Sequence, residues 1–178
     1  EKGWHPVLAG ILVGSYALPV AFVLPFIAKF LLIGKYRPGR HPLWGWYYIR
    51  WWISTGLIAL GPLGLFGGTP LLAPYMRQLG ARIGKNCYLG SLRGFLMPDL
   101  IEIGDNVSLG YGGFLKTYVV KGGWLYQGKI KIGDNAFIGN NAVVMLGACV
   151  GENSCVLEQT LVVADQSVPG GETWAGSP

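Results

Sequence analysis

The stretch Ile132-Gly133-Asp134-Asn135-Ala136-Phe137-Ile138-Gly139-Asn140-Asn141-Ala142-Val143-Val144 repeats itself every six residues. The large aliphatic positions continue at the same interval through Val150, Val156, Val162 and Val168 to Trp174. Four residues after the first five of them stand Ala136, Ala142, Ala148, Ser154 and Thr160, all small. Gly133, Gly139 and Gly151 directly follow three of them, and Asn or Asp fills the turns at Asp134-Asn135, Asn140-Asn141 and Asn153. Six residues make one short flat strand and one tight turn, so three units close an 18-residue triangular coil. The aliphatic residue points inward, the small residue fits the corner, and Gly or Asn accepts unusual turn dihedrals at little cost. One coil cannot bury its own interior, so coils stack as a solenoid. An antiparallel sandwich would space its turns irregularly, closer to about 8–12 residues. The pattern predicts a left-handed parallel β-helix over 81–178.

Working back from this stretch, the same repeat stands at Ile83-Gly84-Lys85-Asn86-Cys87 with Leu89-Gly90, and resumes at Ile103-Gly104-Asp105-Asn106-Val107, Leu109-Gly110 and Leu115. The phase slips by two residues between Leu89 and Ile103, which predicts a bulge or looped-out corner over 93–102. A second break, 116–129, is rich in lysine and aromatics and predicts a loop or β-excursion. Solenoids place binding chemistry on such insertions. Cys87, Cys149 and Cys155 form no disulfide framework or ligand cluster and are expected as small apolar packing residues. His5 and His41 are the two histidines and both lie outside the repeat, so no zinc site and no carbonic-anhydrase-like solenoid is expected.

The first 80 residues read differently. Hydrophobic residues make up 51% of the chain and charged residues 13%, half the share usual in a soluble domain. Residues 1–98 carry ten Lys or Arg and one acidic residue, whereas 99–178 carry four basic and eight acidic residues. The basic residues flank apolar runs and form no groove with interleaved aromatics, which argues against nucleic acid. Residues 7–28 are uncharged and long enough at about 33 Å to cross a bilayer, with kinks expected at Pro19 and Pro25. Lys29, Lys35, Arg37 and Arg40 follow, and the positive-inside tendency puts this loop on the cytoplasmic side against anionic lipid. Leu43 to Leu60 opens with Trp44, Trp46, Tyr47, Tyr48, Trp51 and Trp52 and carries Arg50. It reads either as a second spanning helix with a snorkelling Arg50 or as an interfacial one. The domains expected are thus a membrane-anchoring helical region, 1–80, and the β-helix, 81–178. Lys35, Arg37, Arg40 and Arg50 are the expected membrane-interface residues. A chain that starts at Glu1 and stops at Pro178 reads as a fragment.

The repeat resembles that of the hexapeptide acyltransferase superfamily. Lys35-Tyr36-Arg37-Pro38-Gly39, Tyr48-Ile49-Arg50-Trp51-Trp52, Leu79-Gly80-Ala81-Arg82-Ile83-Gly84, Pro98-Asp99-Leu100-Ile101-Glu102-Ile103-Gly104-Asp105 and Trp174-Ala175-Gly176-Ser177-Pro178 further resemble the C-terminal membrane region of the nonribosomal peptide synthetases that make poly-lysine and related homopoly-amino acids. The resemblance implies a module that joins an amine to an aminoacyl group held as a phosphopantetheine thioester on a carrier domain, with no cofactor bound directly. It also implies a trimer, or a pseudo-trimer built with sister β-helix domains. Where that family's members are expected to carry a histidine base, this sequence has Tyr118, and a phenol is a poor base near neutrality. Asp99, Glu102 and Tyr118 are therefore the catalytic candidates. Arg93, Lys116, Lys121 and Trp124 are the substrate-binding candidates. The competing readings are an inactive copy that completes a pseudo-trimer and anchors the synthetase, and a surface that guides a cationic product outward.

Overall fold

A computed structural model describes residues 15, 19–61, 63–90 and 94–177. The repeat folds as a triangular parallel β-helix. One wall is β2 (Arg82–Ile83), β4 (Ile101–Ile103), β9 (Ile130–Ile132), β12 (Cys149–Val150) and β15 (Ser167–Val168). The second is β3 (Tyr88–Leu89), β5 (Ser108–Leu109), β10 (Phe137–Ile138), β13 (Cys155–Val156) and β16 (Thr173–Trp174). The third is β6 (Phe114–Lys116), β11 (Val143–Met145) and β14 (Leu161–Val162). All pairs within these walls are parallel, and Ile132, Val150 and Val168 lie in register one coil apart. Their side chains and those of Ile138, Val144, Val156 and Val162 are buried in the interior stack. Ala136, Ala142, Ala148, Ser154 and Thr160 fill the corners, also buried.

The turns explain the asparagines. Asn86, Asn106, Asn135 and Asn153 all adopt positive φ, between 54° and 56°. Their side-chain amides donate to one another in a ladder up one corner, Asn86 to Asn106 at 3.3 Å, Asn106 to Asn135 and Asn135 to Asn153 at 3.1 Å. Asparagine is suited to this geometry because it tolerates the left-handed region and its amide is both donor and acceptor. The cysteines depart from expectation. Cys149 is exposed and Cys87 and Cys155 only half-buried, all free. Cys149 and Cys155 immediately precede the inward Val150 and Val156, and alternation along the strand turns them outward.

Both breaks in the repeat fall at the corner between the third and first walls. Ile83 pairs with Ile103, twenty residues on, and Ile103 with Ile132, twenty-nine on. The two extra residues of the first coil lie between Phe95 and Ile103, where a 3₁₀ turn, Pro98–Leu100, absorbs them. The eleven extra residues of the second coil form a hairpin, β7 (Tyr118–Lys121) and β8 (Trp124–Gln127). A strand from the basic loop, β1 (Gly39–Pro42), adds antiparallel to β8. The 116–129 insertion is therefore the middle and far edge of a small sheet that the helical part completes.

That helical part covers the first coil. Backbone N–H groups at the ends of the wall strands donate to the following coil, as from Gly84 to the Ile103 carbonyl and from Gly104 to the Ile132 carbonyl, whereas those of the turns donate back, as from Asn106 to the Lys85 carbonyl. The Ile83, Gly84 and Leu89 carbonyls of the first coil are met by the helical segment. Arg77, in helix Leu72–Gln78, donates to the carbonyls of Ile83 and Gly84, and Gly68 N–H donates to that of Leu89. An open solenoid end is a row of unpaired backbone groups, and this cap closes it. Leu72, Met76, Leu79, Ile58 and Trp51 join the coil interior in one continuous hydrophobic cluster.

The helix predicted across 43–60 is Trp46–Ala59, fourteen residues or about 21 Å long. It is too short to span, and no helix among the described residues is long and apolar enough to cross a membrane. Of the expected span 7–28, residues 7–14 and 16–18 lie outside the described residues. Residues 19–27 are helical and pass into a π-helix, Ala28–Ile33, which begins three residues after Pro25.

Truncating an interior residue should expose how much the stack depends on close packing. Ile138→Ala is expected to cost about 2–5 kcal/mol and Asn135→Ala about 1 kcal/mol; urea denaturation followed by circular dichroism measures both.

Candidate functional site

The π-helix ends at Gly34, and the chain then runs along the outside of the first wall. Three elements meet there, the Lys29–Pro38 segment, Gly80 at the end of the capping helix and the 3₁₀ turn at the remodelled corner. They enclose a cavity of about 630 Å³ whose lining includes Lys29, Lys35, Arg37, Arg82, Asp99, Glu102 and Lys129.

At its base is a buried ion pair. Lys29 Nζ lies 3.0 Å from Asp99 Oδ1, with the two side chains 2% and 7% exposed. Lys29 also donates to the Leu79 carbonyl, and Asp99 Oδ2 accepts the Tyr36 backbone N–H at 3.0 Å. Both carboxylate oxygens are thus engaged. Gly80 is required beside them. Its φ is 103°, and a Cβ there would collide with Asp99 Oδ1 and Lys29 Nζ. Tyr36 runs on into the core, its hydroxyl 2.8 Å from that of Ser54, and burial pushes this phenol well above its ordinary range.

Glu102 sits on the first wall between cations. Its Oε1 accepts from Lys129 at 2.8 Å and from Arg82 at 3.3 Å. The Lys129 hydrogen bond, opposed by partial burial, holds the Glu102 carboxyl below the usual range. A carboxylate so stabilised stays ionised and is a weaker base.

The other sequence candidates lie elsewhere. Tyr118 packs edge-on to Trp51, ring centroids 5.0 Å apart. The Trp51 indole N–H and the Gln127 amide both donate to Met97 Sδ, at 3.2 and 3.4 Å, and Tyr47 O–H donates to Gln127 Oε1 at 2.9 Å. Arg40, expected at the membrane interface, stacks over Trp124, expected to bind substrate, at 4.8 Å. Lys116 is on β6 opposite Met145. Lys121 lines a separate shallow cleft of about 500 Å³ under the hairpin, with Val119, Tyr126, Leu146 and Asp165. Arg50 lies on helix Trp46–Ala59 near Tyr47. Arg93 falls outside the described residues. The acids and the insertion therefore do not share one cleft. Asp99 and Glu102 join Lys35 and Arg37, and Lys129, the last residue of the insertion, alone reaches across to them.

His41 stacks on Tyr47 with ring centroids 3.6 Å apart, and partial burial lowers its pKa from the ordinary value of 6.5. No group of three or more His, Cys, Asp or Glu that could hold a metal ion is present among the described residues. Lys29 and Gly80 escaped the sequence reading as site residues. The π-helical turn and positive φ that place them leave no repeat pattern, although Gly80 stands in a motif already singled out.

The coils have a counterpart among known protein families. Residues 129–159 match the family model described as the hexapeptide repeat of succinyl-transferase. This is a hexapeptide-repeat β-helix. Across 174 residues, 98% of its length, the chain is 33% identical to the delta-poly-L-ornithine synthetase of Acinetobacter baumannii (strain AB307-0294), of which it spans 13%. Among solved structures, a hexapeptide-repeat acetyltransferase of Vibrio cholerae aligns at 23% identity and a TM-score of 0.48, covering 61% of this chain and 76% of that one. The soybean serine acetyltransferase apoenzyme aligns at 21% identity and 0.45, covering 90% and 68%.

Two outcomes follow from this geometry. Gly80→Ala, which adds both a strained φ and a clash with the ion pair, should cost about 2 kcal/mol or more in urea unfolding. Acidification should destabilise the fold in two windows. The folded pKa values of His41 and Glu102 are both lowered, so the unfolded chain takes up protons first and stability falls with pH. The His41 share is complete above its ordinary 6.5 and is lost as pH falls below it; the Glu102 share begins to fall near its ordinary 4.5. Melting temperatures measured from pH 8 to 4 should show both, and His41→Gln should remove the upper one.

Proposed function

We propose that this chain is an acyltransferase-like module of a poly-amino-acid synthetase, joining an amine acceptor to an aminoacyl group presented as a carrier-bound thioester. The single observation that carries the reading is its similarity, along nearly its whole length, to a segment of a poly-ornithine synthetase. Phosphopantetheine would arrive on the carrier domain and would not reside in the chain. In this reading Glu102, flanked by Arg82 and Lys129, orients the acceptor at the cavity, and Asp99 holds the cavity's shape through Lys29 and Tyr36. The left-handed winding and the trimeric or pseudo-trimeric arrangement with sister β-helices belong to the same proposal.

We further propose that the module lies on the cytoplasmic face of a membrane. Helix Trp46–Ala59 buries Trp51, Ser54, Thr55 and Ile58 on its inner face, against the π-helix, Tyr36 and the first coil. Trp46, Ile49, Trp52 and Ile53 remain exposed on it, so it is apolar on the outside as well. Phe30, Leu31, Trp44, Leu60, Leu65 and Leu71 add to this exposed set. Such an apolar surface beside Lys35, Arg37 and Arg40 suits an interfacial seat on anionic lipid.

A second reading has its own support. Both Asp99 oxygens are occupied, Glu102 is held ionised by Lys129, and no histidine lies in the coils. These features favour a structural copy that completes a pseudo-trimer and anchors the synthetase. The two readings separate when the chain is mixed with an aminoacyl-loaded carrier domain and free basic amino acid and amide formation is followed by mass spectrometry. Transfer by the parent chain, lowered at least tenfold in kcat by Glu102→Gln and unchanged within twofold by Lys85→Gln, supports the enzyme. A folded chain that forms no amide supports the structural copy.

A further inference from the structure

The charges lining the main cavity do not cancel. Five cations, Lys29, Lys35, Arg37, Arg82 and Lys129, face two carboxylates, Asp99 and Glu102. Asp99 is taken up by Lys29 and the Tyr36 N–H, and Glu102 already accepts from two cations through one oxygen. Lys35 and Arg37 are exposed side chains that form no ion pair with a carboxylate among the described residues. A surplus of three positive charges therefore lines a concave site of about 630 Å³, the size of a small-ligand pocket. Concave walls of low dielectric concentrate such a field and raise the local concentration of anions. The buried pair at the base fixes the backbone of this segment, because Asp99 holds Tyr36 N–H between Lys35 and Arg37. The two free cations are thus carried on a positioned turn rather than on a loose loop.

We infer that the cavity binds an oxyanion group, a phosphate or phosphate ester most strongly and a carboxylate less so, through Lys35 and Arg37 with Arg82 and Lys129 behind them. Arginine's planar fork matches two oxygens of such a group, and lysine adds a point charge. The same surplus repels a diamine or a cationic polymer, so the site is not where a poly-cation would rest; a basic amino acid would enter with its carboxylate on these cations and its amine toward Glu102. This inference concerns equilibrium binding and stands whether or not the chain catalyses transfer.

Titration of the 178-residue chain, by calorimetry at low ionic strength, with inorganic phosphate, phosphopantetheine, glycerol phosphate, acetate and putrescine tests it. Phosphate-bearing probes should saturate, with acetate weaker and putrescine not binding. Lys35→Gln and Arg37→Gln should each weaken phosphate binding at least fivefold, and Lys85→Gln should not. Tighter binding of phosphopantetheine than of inorganic phosphate would assign the site to a carrier arm, and tighter binding of glycerol phosphate to a lipid headgroup; both outcomes uphold an oxyanion site. The inference is overturned if no phosphate probe saturates below about 10 mM, if putrescine binds more tightly than phosphate, or if Lys35→Gln and Arg37→Gln bind like the parent.

Discussion

The Lys29–Asp99 ion pair ties the two halves of the molecule together. Its members are 70 residues apart, one on a π-helical turn and the other on a 3₁₀ turn of the first coil. Removing two charges from water is expensive, and attraction repays it only when the remaining donors and acceptors are satisfied. Here they are, through the Leu79 carbonyl and the Tyr36 N–H. The contacts reach three separate segments at once. They fix the end of the capping helix at Leu79, the start of the basic loop at Tyr36 and the remodelled corner at Asp99. Without the pair, the cavity would lose its base and the basic turn its orientation.

The corner itself shows how a regular solenoid acquires a special face. Two insertions of unequal length, in successive coils, stack at the same vertex. The shorter supplies Asp99 and the longer supplies a sheet edge to which β1 adds. Trp51 bridges them, donating to Met97 beside the 3₁₀ turn and packing on Tyr118 of the hairpin. Later coils keep strict six-residue spacing and present no such face.

The interior was legible in the sequence because each wall position asks for one property only. Ile132, Ile138 and Val144 must be large and apolar, Ala136 and Ala142 small, and Asn135 must tolerate positive φ. Periodicity then exposes the rule. The two breaks were equally legible as breaks. What could not be read was their stacking, nor the pairing of Lys29 with Asp99, because a single long-range polar contact leaves no period. Lys29 looked like one more cation of a basic loop, and Arg40 and Trp124 looked like members of different sites although they stack on each other. Asp99 and Glu102 stand out in the sequence as acids of the first break, but the partners of each do not. Lys29 engages Asp99, and Lys129 and Arg82 engage Glu102, which makes both structural partners more readily than free bases. The helix Trp46–Ala59 reads from sequence as either a span or an interfacial helix because its outer face is as apolar as a span's, and only the structure shows its length and puts Ser54 and Thr55 on the inner face.

A double-mutant cycle on Lys29 and Asp99, read by urea unfolding, tests most directly whether this pair organises the fold. Lys29→Met and Asp99→Leu should each cost about 3–5 kcal/mol, because each leaves a buried charge unpaired. The double variant should recover at least about 2 kcal/mol of the summed loss. Costs that simply add, or single losses below about 1 kcal/mol, would contradict the account.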